Sequence, residues 1–142
     1  MDLSSIYNDD IASVEVNTGA GFIQIIWFKH PNSEDFRKII TTAHTYAGDH
    51  KLTKWLCNMQ EVLFLEISDQ DWLVHEVFAS LNANYKYEFA YVISPIVLEV
   101  MTIYHIQDMV NSIPAIKNKL LVEIFFEVDE AQQWLFSSVK TN

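Results

Sequence analysis

Phe22-Ile23-Gln24-Ile25-Ile26-Trp27-Phe28 is the stretch on which the fold turns. It is apolar on both faces and rich in β-branched and aromatic residues, as expected of a strand covered on both sides. We read it as the centre of a sheet. Upstream, Ala12 to Asn17 sets Val14 and Val16 on one face of an edge strand, and Asn17-Thr18-Gly19-Ala20-Gly21 supplies turn residues between the two. Downstream, Pro31 ends the strand and Ser33 is placed to cap a helix. Glu34 and Asp35 complement its dipole, and Phe36, Ile39, Ile40, Ala43 and Ala47 recur at helical spacing up to Gly48.

The same alternation of strand and helix continues to the end of the chain. Trp55-Leu56-Cys57-Asn58-Met59 is favoured as a third strand over Val62-Leu63-Phe64-Leu65, which reads as a buried connection. Ser68-Asp69-Gln70-Asp71 resembles a capping box and opens a second helix to about Leu81, in which Ser68 is the N-cap. Phe89 to Ile93 is a fourth strand, Pro95 to about Ser112 a third helix, and Leu121 to Val128 a fifth strand. Asp129 then caps a short helix carrying Ala131, Trp134 and Leu135. The expected fold is α/β: about five strands in a mixed sheet with helices packed against it, in the order ββαβαβαβα. Residues 1–142 are expected to form one domain, loosely ordered at 1–10 and 137–142.

Composition narrows function more by exclusion than by indication. The 142 residues are 50% hydrophobic and 20% charged, which suits a soluble globular core, and no apolar run approaches a membrane span. Nineteen Asp and Glu against nine Lys and Arg give a net charge of -10, which opposes nucleic acid as a partner. The first ten residues lack the charged and apolar regions of a secretory signal, so a cytoplasmic location is expected.

Histidines 30, 44, 50, 75 and 105 lie on different elements, Cys57 stands alone in an apolar stretch, and no glycine-rich phosphate loop occurs. Neither metal nor cofactor is expected, nor catalysis. Asp71 and His75 are one helical turn apart, which suits a local contact better than an acid/base pair.

Three surfaces are candidate sites. On the third helix, Leu98, Ile106 and Met109 form a stripe outside the core face of Ile96, Val97, Val100, Ile103, Tyr104 and Val110, and that stripe predicts a symmetric dimer. Ser68, Asp69 and Asp71 offer an acidic edge to a basic protein partner. Trp72, Phe78, Tyr91 and Met101 would line a cavity between sheet and helices if the chain carried a small apolar, lipid-like ligand.

One further reading rests on resemblance. Phe125-Phe126-Glu127-Val128-Asp129-Glu130-Ala131-Gln132-Gln133-Trp134-Leu135 resembles the last strand and closing helix of the SpoIIAA-like family, grouped with STAS and CRAL-TRIO domains. Glu34-Asp35-Phe36, Trp55-Leu56-Cys57-Asn58, Asp71-Trp72-Leu73 and Tyr91-Val92-Ile93-Ser94 are similar more weakly. The resemblance implies a small sheet with helices packed against it and a role as a regulatory or protein-binding module. The phosphorylatable Asp-Ser-Ser/Thr-Gly motif of its anti-sigma-factor antagonists is absent here, where Cys57-Asn58-Met59-Gln60 follows the third strand.

Overall fold

The computed structural model describes residues 1–137. Six strands form one sheet: β1 (Ser4–Asn8), β2 (Ala12–Asn17), β3 (Phe22–Trp27), β4 (Lys54–Asn58), β5 (Tyr87–Val92) and β6 (Leu120–Phe125). They lie side by side in chain order, antiparallel through β1, β2 and β3 and parallel from β3 to β6. The extra strand corrects the sequence reading at the N-terminus. Ser4 to Asn8 is paired with β2, so β1 and not β2 is the edge. Its side chains are mostly exposed and polar, so hydrophobic periodicity carries little trace of it. Residues 138–142, most of the tail expected to fray, lie outside the described residues.

The β2–β3 turn follows its residues. Asn17 accepts the Ala20 N–H at 3.0 Å, and Gly21 takes the left-handed conformation, φ 66°, that closes the turn at no steric cost. β3 is then followed by α1 (Ser33–His50), capped by Asn32, whose side chain accepts the Asp35 N–H at 2.7 Å. Asn32 thus takes the role expected of Ser33. The Val62–Leu65 run is a connection, as expected, with Val62 and Leu65 buried and Leu63 and Phe64 turned outward.

The second helix has two parts. α2 (Ile67–Trp72) passes without a break into a wider π-helical stretch, Leu73–Phe78, where Ala79 N–H donates to Val74 C=O, five residues back. α3 (Val97–Ser112) and the short α4 (Pro114–Lys117) lead to β6, and α5 (Val128–Leu135) closes the described chain. Glu127, not Asp129, precedes α5, and no side chain caps it.

The pleat sorts the strand residues between two unequal layers. Ile23, Ile25, Trp27, Trp55, Cys57, Phe89, Tyr91 and Val122 point to the face that α1, the second helix and α3 cover. Trp55 stacks on Phe89 at 4.8 Å, Phe78 meets Phe89 edge-on at 5.2 Å, and Trp27 stacks on Phe36 of α1 at 5.6 Å. On the other face, Phe22, Leu56, Ala90 and Val92 lie under Ala131 and Leu135 of α5. All three crossovers therefore return on one side, and their loops gather at the C-terminal ends of the parallel strands.

Candidate functional site

The loops at the carboxyl ends of the parallel strands lie at one end of the sheet, and the strict strand order leaves no topological switch point among them. There the β3–α1 and β4–α2 loops border an open cleft of about 370 Å³, lined by His30, Ser33, Phe36, Phe64, Glu66 and Asp69 among others.

Its polar wall is a clamp between two helix starts. Asp69, 3% exposed, accepts the Ser33 hydroxyl at 2.6 Å and the Arg37 Nε at 2.8 Å on the same oxygen. Arg37 also donates to the Ser68 carbonyl at 3.1 Å, and its guanidinium lies 5.2 Å from the Trp72 ring centre. His30 Nδ1 accepts the Leu63 N–H at 3.2 Å, which places the proton of the neutral ring on Nε2, and its ring lies 5.0 Å from Phe64. Ser33 gives its one proton to a carboxylate already paired with Arg37. That geometry holds α1 and α2 together; it does not activate a nucleophile.

Beside the clamp the surface turns apolar. Phe28, Leu63, Phe64, Ile96, Leu98, Met101 and Phe126, from four loops and the start of α3, are 41–63% exposed. An apolar rim on a chain of charge -10 departs from an ordinary solvated surface.

Between Phe64 and α3 lies a crevice of only about 10 Å³, bounded also by Met59, Val62, Ile93, Glu99, Thr102 and Ile103. Glu99 is 2% exposed. Its Oε2 accepts the Ser94 hydroxyl, and its Oε1 has no partner among the described residues. Burial pushes its carboxyl above the ordinary range, with Glu61 adding to the rise and the Ser94 hydrogen bonds opposing it.

The structure redistributes the residues singled out from sequence. Ser68 is not the N-cap; Glu66 is, without a side-chain bond, and Ser68 contributes its carbonyl to Arg37. Asp69 is buried and paired, so Asp71 alone of the three forms an exposed acidic edge, with His75 also exposed.

The stripe on α3 is likewise re-sorted. Ile106 is fully buried, Met109 packs against the core, Leu98 is exposed, and Tyr104, expected inside, is 48% exposed. Among the described side chains, the outward apolar residues of α3 are Leu98, Met101 and Tyr104. The four residues expected to line a ligand cavity do not converge on one. Phe78 and Tyr91 are packed on Phe89, Trp72 lies under Arg37, and Met101 faces out.

Cys57 is buried against Tyr91, and burial pushes its thiol up to about 12, so it is not a nucleophile at neutral pH. Among the described residues no cluster of three metal-ligating side chains occurs, and no helix is long and apolar enough to cross a membrane.

Sequence reasoning missed Arg37, His30, Phe64 and Glu99. A signal existed for the last alone: Glu99 is an acid on the side of α3 that carries Ile103, Ile106 and Val110. Compared with protein-family models, curated proteins and solved structures, the chain has no significant match.

Proposed function

We propose that the chain is a non-catalytic regulatory or protein-binding module of the SpoIIAA/STAS-like type, which docks a protein partner on the rim at the C-terminal ends of its strands. The partner is a second copy of the chain or another cytoplasmic protein. The observation that carries the reading is the rim itself: seven large apolar side chains, none less than 41% exposed, gathered beside a clamp that fixes the helix starts. A Ser–Asp–Arg arrangement without an activated nucleophile supports docking over catalysis. The carrier alternative has less support, because the space between sheet and α3 is packed down to a crevice of about 10 Å³, far below the several hundred a lipid-like ligand requires. For the family, the support is a sheet with helices packed on it that ends in a strand and a closing helix, β6 and α5.

Leu98→Lys combined with Met101→Lys tests the reading. Both sites are exposed, so the variant is expected to keep its circular dichroism. Sedimentation to roughly 0.5 mM, a concentration that populates even weak complexes, and cross-linking from residue 64 in an extract of the native host are then compared with wild type. Loss of a wild-type dimer or of a defined cross-linked partner supports docking. A wild type that stays monomeric and yields the same cross-links as the variant refutes it.

A further inference from the structure

A second cavity, of about 260 Å³, opens at the opposite end of the parallel strands, between the last turns of α1 and the loop that enters β5. Its wall includes His44, Gly48, Lys51, Trp55, Tyr85 and Tyr87. The clamp and the rim contribute nothing to it.

Three features describe the wall of this cavity. The first is Gly48. It stands exposed in the last turn of α1 with an ordinary helical φ, and a Cβ added there would meet nothing within 4 Å. Glycine is a poor helix former, and no turn or close approach requires it. Its bare backbone forms part of the cavity's solvent-facing wall.

The second is an unfilled donor. Trp55, 2% exposed and stacked on Phe89, has an indole N–H with no acceptor among the described residues; that nitrogen is itself closed off from the cavity, which meets another part of the ring. Buried N–H groups without a partner are rare in folded proteins.

The third is charge. On a chain with ten more acids than bases, no carboxylate among the described residues lines this cavity. Lys51, at the left-handed C-cap of α1, forms no ion pair among the described residues. Burial lowers the pKa of His44, which favours its neutral ring. The Ser80 hydroxyl donates to Val77 C=O at 2.8 Å, so the 2.9 Å contact between His44 and Ser80 must run from His44 Nε2–H to the Ser80 oxygen. The wall therefore combines aromatic surface, neutral polar groups and one cation that no described carboxylate neutralises.

We propose that this cavity is a binding site for a small planar aromatic carboxylate, its ring held among Trp55, Tyr85 and Tyr87 and its carboxylate paired with Lys51. The volume lies just below the roughly 300–1,000 Å³ typical of drug-sized ligands, which suits an acid of one or two rings. Aromatic walls favour a flat ring, and a lone lysine selects an anion over its neutral amide.

The test is titration of the full chain with 4-hydroxybenzoate and indole-3-carboxylate, followed by calorimetry and by the indole N–H resonance of Trp55, which Trp55→Phe assigns. At least one acid is expected to bind and shift that resonance. Its amide analogue should bind at least about tenfold more weakly, and Lys51→Gln should weaken the acid by about the same factor. Gly48→Leu, which fills the space without a clash, should abolish binding while leaving the circular dichroism native. The site is refuted if neither acid moves the Trp55 signal at millimolar concentration, or if binding survives Gly48→Leu in a folded protein. Equal affinity for acid and amide refutes the anionic assignment.

Discussion

Arg37→Ala is expected to destabilise the protein more than Asp69→Ala, although the two residues share one contact. Arg37 removed leaves the Asp69 carboxylate, its side chain 4% exposed, with only the Ser33 hydroxyl. Removing one partner of a buried ion pair costs about 3–5 kcal/mol. Arg37 is itself 39% exposed, so water fills part of its place and the expected loss falls to about 2–3 kcal/mol. Removing Asp69 instead frees Arg37 and Ser33 to meet water, which limits the loss to about 1–2 kcal/mol. In the double variant no stranded carboxylate remains, so it should fall short of the sum of the singles by about 1–2 kcal/mol. Urea unfolding followed by tryptophan fluorescence gives all four values, provided the m-value stays constant across the set. Equal losses for the two single variants, or strict additivity, would show that the carboxylate does not depend on Arg37.

Three further outcomes are expected. Ile106→Glu, placed fully inside, should abolish cooperative unfolding, whereas Met101→Ala on the outer side of the same helix should change stability by less than about 0.5 kcal/mol; thermal melts separate the two. Because burial raises the Glu99 pKa in the folded state, its protonated form stabilises the fold below the ordinary carboxyl range, and that contribution is lost as pH rises through the raised value. Wild type should therefore weaken relative to Glu99→Gln between acid and neutral pH, by about 1.4 kcal/mol for every pH unit separating the folded from the unfolded pKa, and stability measured against pH reads it directly. Cys57 should stay unalkylated by iodoacetamide at pH 8 in the native state and react once urea unfolds the chain.

Strand–helix alternation from Phe22 onward was legible because each element carries its own local signal. Phe22–Trp27 is apolar on both faces, α1 has an apolar stripe with acids in its first turn, and Pro95 precedes α3. β1 was not legible, since Ser4–Asn8 is an exposed edge whose identity lies in backbone pairing with β2. The rotation of α3 is hidden from the sequence for a related reason. That helix is apolar on most sides, so wheel position alone could not place Ile106 inside and Tyr104 outside. The Asp69 clamp depends on partners 32 and 36 residues away, a separation no local pattern encodes. Gly48 could be seen in the sequence, but only the neighbouring loop shows that its bare backbone fronts a cavity.

The sheet's strict chain order bears on how the protein is made. Every strand pairs with its neighbour in sequence, so no interior position waits for a distant segment to arrive, and a chain emerging from the ribosome adds each strand to an edge already present. The opposite face follows a different schedule. Among the described residues, Phe22, Leu56, Ala90 and Val92 take their cover from α5, with Phe136 just beyond it on Phe22. Until α5 emerges, this side of the growing sheet is an uncovered apolar surface, and that helix withdraws it from water.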